Sequence, residues 1–369
     1  MATTGTGIDF QGGGEFYGEM KSRVRAYLAD PKRVRRGERQ ILTKTVIIAT
    51  WMIASWVGLM FWASNWWQAG LLSVSAGLAL AGLGFNVTHD ANHGSYSRRR
   101  WLNHMMRWSL DVIGGSSYVW RTKHNVVHHT YTNIAGADSD IDSLPFARFA
   151  PDQQVRPFHR FQHFYMWGLY GLFAIKWHTT GDFDYLLKGK IGETPIRWPK
   201  GRELVGFVAG KLVFVSWTVI IPLLLRPALP VVACFLVASF VLAFTLSITF
   251  QLAHCLEEAE FSSVERMQAT DERTEWARHQ VETTVDFAPK SRILAWYMGG
   301  LNFQIEHHLF TKVCHVHYPH IASIVRDVCQ KHGVDYQAHP SLWSAVASHA
   351  RWLRKMGRPE LQTTPIGAS

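Results

Sequence analysis

Residues 68–93 read QAGLLSVSAGLALAGLGFNVTHDANH, an almost wholly apolar stretch from Gln68 to Val87 that runs into His89-Asp90-Ala91-Asn92-His93. A helix needs ~20 apolar residues to cross ~30 Å of hydrocarbon. Residues four apart on a helix share a face, so His89 and His93 direct two imidazoles at one point. The stretch therefore predicts a membrane helix ending in a pair of metal-ligating side chains about one turn beyond the hydrocarbon.

Three more blocks have the same character: Thr45 to Ala63, Leu204 to Leu225 and Ala228 to Phe250. With 47% hydrophobic residues gathered into such blocks, the expected fold is an all-α integral membrane protein. Its four transmembrane helices (about 45–63, 68–87, 204–225 and 228–250) form two hairpins under a cytosolic helical cap. The shorter patches Trp108 to Trp120 and Phe161 to Trp177 contain or adjoin Asp111, Arg160, His163 and Lys176, and read as interfacial or buried helices. Lys32 to Arg39, Arg98 to Arg107 and Lys188 to Arg202 flank the spans on one side, whereas the joins Ser64 to Trp67 and Arg226-Pro227 carry little charge. Basic flanks stay in the cytosol, which places both termini and the histidines there. Lys211, inside the third block, is expected to reach back to the headgroups, with a place beside a polar substrate group as the alternative.

These basic flanks account for most of the net charge of +10, and anionic lipid explains it without nucleic acid. Cys234, Cys255, Cys314 and Cys329 show no CxxC spacing and form no disulfide framework. No basic and apolar leader opens the chain. Segment 1–44 is read as a cytosolic N-terminal stretch, 45–345 as one membrane domain, and 346–369 as a C-terminal tail, loosely structured after about Arg351.

Two further histidine clusters follow the first: His124-Asn125-Val126-Val127-His128-His129 and Gln304-Ile305-Glu306-His307-His308. The fourth span ends in Gln251-Leu252-Ala253-His254, at the depth of the first cluster. Eight histidines exceed what one ion accommodates. A catalytic zinc takes three protein ligands and leaves one position open, while iron, with higher coordination and redox chemistry, uses the surplus. A dinuclear, nitrogen-rich centre is the reading, with His89, His93, His124, His128, His129, His254, His307 and His308 as the candidate ligands. Asp90, Asn92, Asn125 and Glu306 are candidates for orienting the rings.

HDANH, HNVVHH and QIEHH resemble the three histidine boxes of the membrane fatty acid desaturases. The likeness extends to Tyr131-Thr132-Asn133-Ile134, to His279-Gln280-Val281-Glu282-Thr283-Thr284 and to Gly300-Leu301-Asn302-Phe303, and covers roughly residues 45–345. Gln304 at the head of the third box resembles the acyl-lipid and front-end branch, and makes Gln304 a candidate weak or water-mediated ligand. The resemblance makes the eight candidate histidines catalytic, and implies two iron ions, O2 as co-substrate, a fatty acyl substrate drawn from membrane lipid, and a cis alkene as product. It leaves the double-bond position, the acyl carrier and the roles of His279, His315 and His317 open. Thr311 stands where the family often has proline. The chain has no HPGG heme motif, Rossmann-type glycine loop or iron-sulfur cysteine set. Electrons from NAD(P)H are then expected through a separate ferredoxin or cytochrome b5 type carrier. An oxygenase of the same superfamily (a hydroxylase, epoxygenase or carotenoid-modifying enzyme), a membrane zinc hydrolase and a non-catalytic metal-binding or transport protein are the competing readings.

Overall fold

The computed structural model describes residues 6–12, 14–269 and 274–359. Four helices are long and apolar enough to cross a membrane: Pro31–Trp62, Trp66–His93, Arg202–Leu225 and Ala228–His254. Each matches one of the expected blocks and begins or ends beyond it, the first stopping one residue short of Ala63. The first starts well before Thr45 because Asp30 caps it, accepting from the Lys32 backbone N–H at 2.8 Å, with Pro31 in the first turn. In the second, Asn65 accepts from the Gln68 N–H at 3.0 Å, and the helix runs through the whole first histidine box to Gly94 in left-handed conformation.

The second span is the axis of the bundle. More than half of its apolar window is buried (56%), against 17, 17 and 22% for the first, third and fourth, because it packs along both the first and fourth spans. The two hairpin tips lie together: Arg226 Nε donates to the Met60 carbonyl at 2.8 Å. His93 and His254 end the second and fourth spans at the opposite pole.

A helical cap covers that pole. Glu15–Leu28 packs on Tyr318–Lys331, and Leu342–Met356 packs on Gln162–Tyr170 and the fourth span. Among the described residues the departures from helix and loop are three pairs of two-residue strands and one bridge between Gln11 and Glu275. Two of the pairs are parallel, Ile134–Ala135 with Ser262–Ser263 and Asp286–Phe287 with Ala338–His339, and pin distant loops around the site. Trp108 to Trp120 and Phe161 to Trp177 break into helices of four to nine residues, too short to span.

Two expectations are corrected. The C-terminal region is structured as far as Met356, and the boundary at 346 falls inside a helix. Trp352, Leu353 and Met356 are buried, His349 bridges the Cys255 carbonyl (2.7 Å) and the Tyr170 hydroxyl (2.8 Å), and the buried Arg148 donates to the Met356 carbonyl at 2.8 Å. Residues 360–369 lie outside the described residues. Lys211 does not reach for headgroups: its Nζ donates to Asp182 Oδ2 at 2.6 Å and to the Gly114 carbonyl at 2.8 Å. A buried carboxylate within reach outcompetes the long excursion to the interface.

Candidate metal centre

Local winding decides how the histidines meet. Gly84–Thr88, just before His89, and Arg121–His128, through the second box, wind as π-helix. Bonding from i to i+5 overlays residues four and five apart, so His124 faces both His128 and His129. The third box is a short helix, Gln304–Leu309, whose Ile305 N–H is held by Asp286 Oδ1 at 3.1 Å. The chain reaches it through Gly299 and Gly300 at φ of 57° and 67°; a Cβ on Gly299 would lie 2.4 Å from the Phe85 carbonyl oxygen, so only glycine lets this turn approach the second span.

The eight expected ligands converge, none more than 7% exposed. They fall into two groups, each with ligand atoms within 4.8 Å of one another: His89, His93, His124 and His307 in one, His128, His254 and His308 in the other. His129 gathers with His307 and His308 and so stands between them. Its ring centroid is 4.4 Å from His308 and 4.6 Å from His307. Gln304 borders the second group, its amide nitrogen 2.8 Å from His254 Nε2 and 3.4 Å from His308 Nε2.

The hydrogen bonds show what these rings are prepared for. His128 Nδ1 is 3.0 Å from Asp138 Oδ2, His308 Nδ1 is 2.7 Å from Gln280 Oε1, and His307 Nδ1 is 3.4 Å from the Tyr318 hydroxyl. A carboxylate only accepts, so Asp138 fixes the proton on Nδ1 and turns the Nε2 lone pair inward. Nε2 of His89, His93, His128 and His307 is buried with no hydrogen-bond partner. Burial and the neighbouring imidazoles hold His124, His129, His307 and His308 well below the usual histidine range, which keeps them neutral and able to ligate. Orphaned, inward-facing, neutral imidazole nitrogens in two adjoining groups fit two metal ions.

The sequence matches the family model described as fatty acid desaturase over residues 64–340. The chain belongs to the fatty acid desaturase family. It is 36% identical over 358 residues to a protein of Arthrospira platensis named sn-1 linoleoyl-lipid 6-desaturase, covering 96% of each chain. A protein of the same name from Synechocystis sp. is 37% identical over 345 residues, 92% of this chain and 94% of that one. The acyl-lipid (8-3)-desaturase of Physcomitrium patens is 33% identical over 352 residues, 94% of this chain and 73% of that one. The chain is thus an oxidoreductase of a membrane-embedded class.

The remaining desaturase-like segments brace the site. Thr132 Oγ1 links the His128 carbonyl (2.8 Å) to Gln280 Oε1 (3.0 Å) and lies 3.3 Å from His308 Nδ1. Asn133, at φ 57°, donates to the carbonyls of His254, Glu260 and Thr283 at 2.9–3.2 Å, tying the second box to the end of the fourth span. His279 contacts the Thr132 carbonyl (3.0 Å) and burial pushes it down to about 4; His317 packs against Tyr27. Neither joins a histidine group.

Of the four residues expected to orient rings, only Asp90 faces one, His89, with Oδ1 3.7 Å from Nδ1. Asn125 instead donates to the Asn92 carbonyl at 2.9 Å and Asn92 to that of Thr88 at 2.9 Å, which ties the first two boxes together through backbone. Glu306 accepts from the Tyr336 hydroxyl at 3.1 Å beside Asp286. Burial raises both carboxyls, Asp286 to about 6 and Glu306, next to it, further. The ring-orienting groups that sequence reading missed are Asp138, Gln280 and Tyr318. Asp138-Ser139-Asp140-Ile141-Asp142, three carboxylates in five residues shortly after the second box, was the available signal.

Proposed function

We propose that this fatty acyl desaturase introduces a cis double bond into an acyl chain carried on membrane glycerolipid, with the 6-position of a linoleoyl-type chain as the expected site. The reading is supported by two relatives matched over nearly their whole length and named linoleoyl-lipid 6-desaturases. One observation carries the chemistry: seven buried histidines in two adjoining groups with an eighth, His129, between them, and the inward Nε2 atoms of His89, His93, His128 and His307 left without a partner.

The residues that would hold two irons are His89, His93, His124 and His307 for one, and His128, His254 and His308 for the other, with His129 between and Gln304 beside the second. Iron held there would supply, with O2 and two electrons, an oxidant able to take hydrogen from an unactivated methylene, which no side chain can do. The protein's own share is position and exclusion. Asp138, Gln280 and Tyr318 set the ring planes, and the cap keeps bulk water from the centre. A cavity of about 340 Å3 between the two hairpins, lined by residues such as Trp56, Leu80, Ile113, Phe214, Trp217 and Leu242, suits the distal part of an acyl chain. Leu80 precedes His89 by nine residues, roughly 13 Å along the helix. The boxes and both termini face the cytosol, where a separate carrier delivers electrons from NAD(P)H.

The test is expression in a host of defined fatty acid content, with new double bonds located by mass spectrometry. The expected product is a new cis alkene in glycerolipid acyl chains, dependent on His128. A hydroxylated chain would identify an oxygenase of the same superfamily, and activity unaffected by removal of oxygen would exclude both.

A further inference from the structure

The first span carries a lysine to which desaturation, as described above, assigns no task. The residues this helix buries are Gly37, Ile41, Lys44, Ile48 and Ser55, a single stripe at spacings of three, four and seven. Lys44 stands within it, 2% exposed, its Nζ over the Trp296 ring at 5.5 Å. Lysines near a membrane boundary ordinarily extend their amine to the headgroups. This one turns inward and ends 2.7 Å from His315 Nε2. Among the described residues no carboxylate lies within ion-pair distance of it.

What it meets is a chain of two hydrogen bonds, to His315 and on to Asp90, that ends in a carboxylate facing a metal-group histidine. His315 Nδ1 lies 2.9 Å from Asp90 Oδ2, and the His315 backbone N–H donates to the same oxygen at 3.1 Å. Because the carboxylate accepts, Nδ1 carries the proton, Nε2 presents its lone pair, and Lys44 is the donor. The other carboxylate oxygen, Asp90 Oδ1, has no hydrogen-bond partner and faces His89 Nδ1, also without one, at 3.7 Å. All four side chains are buried. Asp90, Cys314 and His315 come close enough to suggest a separate cation site, but both His315 nitrogens are already engaged. The stripe comes close to the same turn at Gly37, where a Cβ would lie 2.6 Å from His317 Nε2 and 3.1 Å from Val316 Cγ2, so a side chain there would displace the His317 ring or the helix.

We propose that Lys44 is a positioning residue for the metal centre, holding through His315 the Asp90 carboxylate against the Nδ1 edge of His89. The inference rests on the metal reading of the histidine groups. It makes the first membrane helix part of the ligand support, although none of the eight clustered histidines lies on it. Carboxylate partners of ligating imidazoles orient the ring and raise its basicity, and their loss typically costs about 10–100-fold in metal affinity.

The experiment is an anaerobic titration of metal-free full-length protein in detergent with Co(II), followed by visible absorption, with apo melting curves as a check on folding. Wild type should bind two equivalents. Lys44→Met should weaken one of them about 10–100-fold and leave the other. The double variant Lys44→Met/Asp90→Asn should bind no more weakly than Asp90→Asn alone, because both changes break one chain. His315→Phe, which keeps a ring but neither bond, carries the same expectation should Lys44→Met fail to fold. Wild-type affinity and spectrum in Lys44→Met or in His315→Phe, or additive losses in the double variant, would overturn the proposal. A wild type that binds no cobalt would remove the metal reading itself, a distinct failure.

Discussion

His254 ends the fourth span with a buried ring 4.9 Å from His308 and 4.8 Å from His128, centroid to centroid, although it belongs to none of the three sequence clusters. His254→Ala should therefore lower iron content and desaturation as severely as the loss of a box histidine. Near-normal turnover, measured beside His128→Ala, would reduce it to a polar helix end. His254 was legible because a span of readable length sets its depth. Asp138, Gln280, Tyr318 and Lys44 were not, because their partners lie 10, 28, 11 and 271 residues away in a fold that pattern alone does not provide. His279, His315 and His317 show the converse. They lie in segments that resemble the family's, and only their contacts, hydrogen bonds for His279 and His315 and the Tyr27 ring for His317, place them around the histidine groups.

The spans were the most legible elements, since length and hydropathy dictate them directly. Their ends were less so. Capping by Asp30 and Asn65 and the π-helical turns before His89 and in the second box depend on local geometry that composition does not encode. The helix Leu342–Met356 was missed past Arg351 because its apolar residues are spaced for a helix packed on another, not for a lipid-facing block. The four spans bring the hairpin tips together at one pole and the histidines to the other, and the proposed orientation, argued from the basic flanks, puts the histidine pole in the cytosol. A reporter fused to the C-terminus should read cytosolic, and one inserted between Ser64 and Trp66 should read on the far side. A far-side C-terminus would contradict the four-span arrangement.

At the scale of the whole molecule, the centre lies between an apolar bundle and a basic surface. Arg98, Arg99 and Arg100 are exposed on the turn that follows the first box, and Lys188, Lys190, Arg197, Lys200 and Arg202 on the segment leading to the third span. Lys312 donates to the His93 carbonyl at 2.6 Å beneath the first of these. An acidic redox carrier would be steered to such a face, and salt would screen the encounter. NAD(P)H-driven desaturation in membranes supplied with a ferredoxin or cytochrome b5 system should fall as ionic strength rises, and more gently in Arg98/Arg99/Arg100→Ala, which starts slower. Salt-independent turnover would remove the basic docking face; turnover by the isolated chain with NAD(P)H alone would remove the need for a carrier. The number of ions, however, is what the gathering of seven histidines into two groups, with His129 between them, most directly implies. Elemental analysis of the purified, active protein should give two irons per chain, with His128→Ala folded but depleted of iron and inactive. Stoichiometric zinc with full activity, or one iron per fully active chain, would contradict the dinuclear iron centre.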